Sequence, residues 1–345
     1  MFKRLKKFIG RYKNLDQVLI IPYRSYGTYS RLYVFGRALD NEPLKIVQDQ
    51  SFWKTSKNTW KQFDSFEIPD AEIELVIPGK IKLSHKTNGE GYFLFDKTLK
   101  ENVAEYADEE GWIDYQLHYK GEISPKTELL EDYFKGEFLV PSADAEYGVI
   151  SDIDDTILHT GVTSFLKWRL LKNSLLTNAY RRIPLKGAPD LYKKLHHGKS
   201  GKNQNPMFYL SNSPWNMYEY LKLFLDHNEF PKGPILLRNF RTPFDRTTKP
   251  EKPHKQKEIA NILKTYPDLK FILIGDSGEH DASIYTEIAA QYSDRILAIY
   301  LRSVKHKRQM ERVQSVIDNF DSTPLLMVHS SEEAVEHARE NGFIK

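Results

Sequence analysis

The sequence predicts an α/β protein: a parallel sheet with helices on both faces, preceded by a β-rich, sandwich-like domain. Three observations carry that prediction. From about Leu15 to Val140 apolar and polar residues alternate with period two, the pattern of half-buried strands. Beyond that point short apolar runs are separated by helix-length segments, which implies strands joined by helical crossovers. With 345 residues, 40% of them apolar and 13% aromatic, the chain is long enough to build two cores.

The first thirteen residues, MFKRLKKFIGRYK, hold six basic groups and no acid, which leaves −3 for the rest of a chain whose total is +3. Met1, Phe2, Leu5, Phe8, Ile9 and Tyr12 recur at helical spacing among those charges. A basic amphipathic segment over 1–14 reads as an interfacial membrane anchor, where each basic residue contributes about 1 kcal/mol at an anionic surface. The same pattern also describes a solvated helix docked on the next domain, or a frayed terminus. Basic charge confined to one tail argues against a nucleic-acid partner. The chain has no cysteine, so disulfides, thiolate metal sites and a Cys nucleophile are excluded. No apolar run approaches the roughly 18 residues of a membrane span, and no signal-like apolar region follows the basic start. The expected setting is cytoplasmic, with peripheral attachment to a membrane surface as the further option.

In the β-rich domain, 15–140, the segments AEIELVI (71–77), KIKLSH (80–85) and WIDYQLHY (112–119) alternate as antiparallel strands do. TNGEGYF (87–93) supplies turn chemistry for a hairpin between KIKLSH and the next strand. The segment 47–63, with Phe52, Trp53, Trp60 and Phe63, reads as one helix. VPSADAEYG (140–148) forms the junction, and 145–345 forms the second domain. Its apolar runs are GVI (148–150), MFYL (207–210), ILL (235–237), FILI (271–274), ILAIYL (296–301) and LLMV (325–328). Helical patterns lie between them, among them PWNMYEYLKLFL (214–225) and KQKEIANILKTY (255–266). Ser213-Pro214 is the expected N-cap and first helical position of the former, with its free N–H groups facing an anion.

In open α/β sheets ligands bind beyond the carboxyl ends of the strands. Here those ends are polar: GVIS runs into Asp152, MFYL into Ser211, and FILIG into Asp276. The stretch GVISDIDDTI places three aspartates within four residues of a core strand. Such crowding is tolerable when a divalent cation sits among the carboxylates, and hard oxygen donors favour Mg²⁺. Mg²⁺ bridges phosphate oxygens, so the implied substrate carries phosphate. An ionised aspartate can attack phosphorus unaided, and a carboxylate two residues on can protonate the leaving oxygen and then activate water.

These residues resemble the haloacid dehalogenase superfamily of phosphatases, with Asp152-Ile-Asp154-Asp-Thr156 as the DxDxT motif. SDIDDTIL, YLSNSPWN, KPHK and LIGDSGEHD, in that order, look like the actin-patch-type phosphatidate phosphatase catalytic domain, to which lipin-type phosphatidate phosphatases are related. The similarity covers about 145–345, including AIYLRSV (298–304). The resemblance implies a haloacid-dehalogenase-like Rossmannoid sheet. It implies Asp152 as nucleophile and metal ligand, and Asp154 as general acid/base, binding the metal through its backbone carbonyl. Thr156 would steady the loop beside the substrate, and Ser211 would bond a phosphate oxygen. Lys255 would offset the phosphoryl charge, with Lys252 as its rival in a Lys-rich segment. Asp276 would complete the Mg²⁺ shell, with Asp281 orienting it. Asp155 is read as a supporting or surface residue. Asn212 and Arg302 are added as substrate-binding candidates, Arg302 with a surface salt bridge as its alternative. His280 either touches substrate or merely caps, and Trp168 and Trp215 pack helix faces. The apolar and basic segment 163–182 sits where this superfamily inserts cap elements; it reads as a lipid-facing lip or an ordinary packed helix.

The expected activity is Mg²⁺-dependent hydrolysis of phosphatidic acid, or another anionic phosphate ester, to diacylglycerol and phosphate. Its rivals are a soluble phosphomonoesterase acting on a small ester or phosphoprotein, and a non-catalytic phosphatidate-binding scaffold.

Overall fold

The structure is a computed structural model that describes residues 17–40, 67–77, 81–121, 128–129, 131–158, 183–238, 253–277, 281–303 and 307–345. The expectations for the tail 1–14, the helix over 47–63, the segment 163–182, Trp168, Lys252 and His280 lie outside these residues. The chain divides into two compact units, Met1–Val140 and Pro141–Lys345.

The first unit contains, among the described residues, β1 (Gln17–Pro22), β2 (Ser25–Thr28), β3 (Arg31–Leu39), β4 (Glu72–Ile77), β5 (Ile81–Lys86), β6 (Tyr92–Thr98), β7 (Trp112–Tyr119), β8 (Glu128–Leu129) and β9 (Phe134–Leu139). They hydrogen-bond in the order β5-β4-β7-β9-β2-β3-β1-β8, and β6 pairs with the other edge of β3. Alternate residues point inward, as Ile73, Leu75 and Ile77 do on β4. Val34 and Phe95 from one end of this ladder share a core with Ile73, Leu117 and Phe138 from the other, so the sheet folds back on itself. Most pairings are antiparallel, but β1–β8 and β2–β9 are parallel.

The hairpin expected at 87–93 does not form. The turn chemistry is present: Asn88 Oδ1 accepts from the amides of Glu90 and Tyr92. The partners differ, however, because β5 pairs with β4 and β6 pairs with β3. Thr87 is drawn to the chain before β4, its Oγ1 donating to Ile68 O and accepting from the Ala71 amide. Across the turn, Gly91 O accepts from the Ala38 amide, which delivers the next strand to β3.

The second unit holds β10 (Tyr147–Asp152), β11 (Met207–Pro214), β12 (Ile235–Arg238), β13 (Lys270–Asp276), β14 (Ile296–Arg302) and β15 (Leu325–Val328). Its helices among the described residues are α1 (Ala188–His197), α2 (Tyr218–His227), α3 (His254–Thr265), α4 (Asp281–Gln291), α5 (Lys307–Asp318) and α6 (Ser331–Glu340). All adjacent strands are parallel, in the order β12-β11-β10-β13-β14-β15. Val149, Ile150, Phe208, Ile272 and Leu273 are fully buried, as continuous apolar runs covered on both faces must be. Helix α1 packs with α6, and α3 with α4.

The helix start after β11 differs from the sequence expectation. Strand β11 continues through Ser213 to Pro214, one 3₁₀ turn covers Trp215–Met217, and α2 begins only at Tyr218 without a side-chain cap. The Ser213 side chain is engaged elsewhere, as described below.

Candidate active site

The strand order runs outward from β10 through β11 to β12, then reverses at β13. The crevice at that reversal, beyond the carboxyl ends of β10 and β13, is where doubly wound sheets bind ligands. Asp152 is the last residue of β10 and Asp276 the last of β13. The chain after Asp152 turns sharply. Asp155 adopts φ +56°, a left-handed conformation that Asp tolerates better than most residues. The Asp155 amide donates to Leu158 O, and the amides of Ile157 and Leu158 both donate to Ile153 O. This turn holds Asp154 and Thr156 beside the strand end, both buried.

Asp281 opens α4 and returns to the same place, its Oδ2 accepting from the Asp276 amide at 3.4 Å. The approach requires glycine at 275, since a Cβ there would lie 2.6 Å from Asp281 Oδ2 and 2.7 Å from the Tyr285 ring. Asp152, Asp276 and Asp281 are buried to 1% exposure or less, and each offers a carboxylate oxygen within 4.8 Å of the others. Lys255, on the first turn of α3 and equally buried, places Nζ 2.7 Å from Asp152 Oδ1 and 2.7 Å from Asp281 Oδ1. Burial raises the Asp152 carboxyl well above its ordinary range. Lys255 opposes the rise, and the carboxylates of Asp281, Asp154 and Asp276 add to it.

Asp154 faces β11. Its Oδ2 accepts from Ser211 Oγ at 2.5 Å and lies 3.5 Å from Ser213 Oγ. Ser211 Oγ in turn accepts from the Ser213 amide at 2.9 Å. Thr156 Oγ1 donates to Asp152 Oδ2 at 3.3 Å. The structure therefore brings Asp152, Asp154, Thr156, Ser211, Lys255, Asp276 and Asp281 together. Thr156 contacts the Asp152 carboxylate and Ser211 that of Asp154. Asn212 lies between Ser211 and Ser213 on β11, half-buried. Arg302 ends β14 in register with Asp276 and donates from Nη1 to Ser331 Oγ, at the start of α6, at 3.2 Å. Trp215 is buried, as a packing residue should be.

Ser213 was not read from the sequence as a site residue. Its signal was available, because residues two apart on a strand share a face and Ser211 already pointed to the acids. Tyr192 was missed as well. It lies on α1, and its hydroxyl meets Ser151 directly beneath Asp152. No local pattern marks it, since only the fold brings residues 41 positions apart together.

Four buried carboxylates against one ammonium form a site with a charge deficit that a divalent cation would meet. Asp152, Asp276 and Asp281 supply only hard oxygen donors, which fit Mg²⁺ and not a thiophilic metal.

The fold and site thus define a doubly wound α/β unit with a carboxylate cluster and a buried lysine at its switch point. Residues 147–303 match the family described as Phosphatidate phosphatase APP1, catalytic domain. Over that stretch, just under half of its length, the chain is similar to the actin-patch-type phosphatidate phosphatase catalytic domain family. It is 42% identical over 156 residues, 45% of its length, to Phosphatidate phosphatase APP1 of Saccharomyces cerevisiae. It is 28% identical over 227 residues, 63% of its length, to Uncharacterized protein C29B5.04c of Schizosaccharomyces pombe. These alignments span 25% and 34% of the two yeast proteins, respectively. Among solved structures, a ferredoxin-NADP+ reductase from Plasmodium falciparum covers 90% of the chain and 95% of its own at 9% identity, with a TM-score of 0.16, too low to indicate a shared fold.

Proposed function

We propose that this chain is a Mg²⁺-dependent phosphatidate phosphatase of the haloacid dehalogenase type, acting peripherally at a membrane surface. One observation carries the chemistry: the carboxylates of Asp152, Asp276 and Asp281 converge at the switch point of a parallel sheet, where Lys255 bridges Asp152 and Asp281. Similarity to a protein named phosphatidate phosphatase supports the lipid substrate. Among the described residues no helix is long and apolar enough to cross a bilayer, so the reading relies on attachment to the surface.

Asp152 Oδ attacks phosphorus, and the bond from phosphorus to the glycerol oxygen breaks. Asp154 gives its proton to that oxygen, releasing diacylglycerol and leaving an aspartyl-phosphate. Asp154 then takes a proton from water, whose oxygen attacks phosphorus, freeing phosphate and restoring Asp152. Ser211 and Ser213 hold Asp154 for both transfers, and Thr156 fixes Asp152. Lys255 favours the anionic form of Asp152 against the effect of burial and offsets charge on the phosphoryl oxygens. A Mg²⁺ ion held by Asp152, Asp276 and Asp281, with the Asp154 carbonyl, would neutralise the cluster and polarise the phosphoryl group. Asn212 and Arg302 are proposed to contact the substrate from the ends of β11 and β14.

The test is phosphate release from phosphatidate vesicles with Mg²⁺, with EDTA, and with Asp152→Asn. Release should require Mg²⁺ and fall to background in the variant; equal release from both proteins would refute the nucleophile. Faster turnover of small phosphate esters than of phosphatidate would move the reading to a soluble phosphomonoesterase. Vesicle binding without release at any metal concentration would indicate a scaffold.

A further inference from the structure

Strand β10 is apolar at Val149 and Ile150 but carries Ser151 immediately before Asp152, fully buried. Its side chain points to the opposite face of the sheet from Asp152. Ser151 Oγ donates to the Asp152 carbonyl oxygen at 2.7 Å and lies 2.5 Å from the Tyr192 hydroxyl. A hydroxyl has one proton to give. With the Ser151 proton on the Asp152 carbonyl, the Tyr192 hydroxyl is the donor to Ser151 Oγ. Burial raises the Tyr192 phenol far above its ordinary value, so it remains a donor through the physiological range.

The peptide that follows Asp152 is thereby held at both ends. Its N–H, from Ile153, donates to Leu210 O on β11 at 3.0 Å, and its carbonyl is held by the Tyr192–Ser151 pair. This peptide leads directly into the turn that carries Asp154 and Thr156. The Tyr192 ring is fixed independently of its hydroxyl: it stacks on Tyr209 at 6.4 Å and meets Phe230 edge-on at 5.3 Å. A buried aromatic ring needs no hydroxyl for that packing, so the hydroxyl has a separate role.

We propose that Tyr192 is a positioning residue for the reaction: through Ser151 it fixes the Asp152–Ile153 peptide and so sets the angle between the Asp152 and Asp154 carboxylates. The inference rests on the assignment of Asp152 as nucleophile and Asp154 as acid/base. Misalignment of those two groups affects the chemical step, whereas substrate contacts are untouched.

The experiment compares wild type, Tyr192→Phe, Ser151→Ala and the double variant. Each is assayed for kcat and KM on phosphatidate vesicles with Mg²⁺, and for amide hydrogen exchange over 153–158. Tyr192→Phe should lower kcat about tenfold, the size expected for one lost positioning hydrogen bond, and leave KM within about twofold. Exchange over 153–158 should quicken. Ser151→Ala should show the same loss, and the double variant should be no worse than either single, because both act through one relay. An unchanged kcat in Tyr192→Phe, additive losses in the double variant, or a raised KM with intact kcat would overturn the proposal. A wild-type protein that releases no phosphate would overturn the phosphatase reading on its own. In that case the exchange comparison decides the Tyr192 relay, and unchanged exchange would overturn it.

Discussion

Replacing Lys255 with methionine tests the electrostatic logic of the site most directly, because shape is nearly preserved and only the charge is lost. Lys255 Nζ lies 2.7 Å from each of two buried carboxylate oxygens. At an effective dielectric constant of about 20, each contact is worth about 6 kcal/mol before costs. Burying the ammonium offsets several kcal/mol of that sum. What remains agrees with the loss of about 3–5 kcal/mol seen when one partner of a buried pair is removed. The variant also leaves Asp152, Asp276 and Asp281 without their ammonium, their oxygens within 4.8 Å of one another. Each such pair repels by about 3.5 kcal/mol at that separation and dielectric constant.

The escape from this repulsion is a proton, which makes the prediction depend on pH. The Asp152 carboxyl is already raised by burial, with Lys255 opposing and three neighbouring carboxylates reinforcing. Because its folded value lies above its unfolded value, proton uptake favours the folded state. The stability this provides is complete below the ordinary aspartate value of about 3.9 and is lost as pH rises through the raised folded value. Removing Lys255 lifts the folded value further. Urea unfolding in EDTA should therefore show a loss of about 3–5 kcal/mol at about pH 8, and a distinctly smaller loss at about pH 5.5. Equal losses at the two pH values, or a loss below about 1 kcal/mol at both, would refute the reasoning.

Other substitutions separate chemistry from architecture. Asp154→Asn should abolish phosphate release, whereas Asp155→Asn should retain most of it, since Asn also tolerates the φ of +56° at that turn; the reverse ranking would mean the motif is misread. Gly275→Ala should cost about 1–3 kcal/mol in thermal unfolding and lower activity as well, because its methyl group would displace Asp281. Glu258 on α3 is buried beside His254, and burial pushes its carboxyl up to about 7. Its contribution to stability is lost as pH rises from the ordinary carboxylate range through about 7. Glu258→Gln should thus stabilise the protein by about 3 kcal/mol near pH 8.5 but by only about 1 kcal/mol near pH 5, read from urea midpoints.

The parallel sheet was legible because each of its strands is a short apolar run, and covered strands need that composition whatever their neighbours. The ends of those runs also located Asp152, Ser211 and Asp276, since a polar residue after a buried strand lies at the sheet edge by necessity. Pairing was less legible. TNGEGYF has the residues of a hairpin turn, but Thr87 bonds to Ile68 and Ala71 while Gly91 bonds to Ala38, two different earlier segments, and no periodicity reports which partner a strand will choose. Ser213-Pro214 failed differently. Its cap chemistry is sound locally, yet strand pairing with β12 extends to Pro214, and Ser213 serves Asp154. A tertiary contact outweighed a local preference.

The positions where local rules fail converge on one place. A core strand ends in carboxylates, a lysine is buried on the first turn of a helix, a non-glycine residue takes a positive φ, and a buried serine directly precedes Asp152. Each is unfavourable by itself: burial disfavours the charged forms, and the left-handed turn costs about 1–3 kcal/mol. They persist because each constrains another. Lys255 offsets Asp152 and Asp281, the Asp155 turn aims Asp154 at Ser211, and Gly275 makes room for Asp281. Folding alone would favour apolar residues at these strand ends, so the concentration of such costs at the switch point is the physical mark of a site kept for its chemistry.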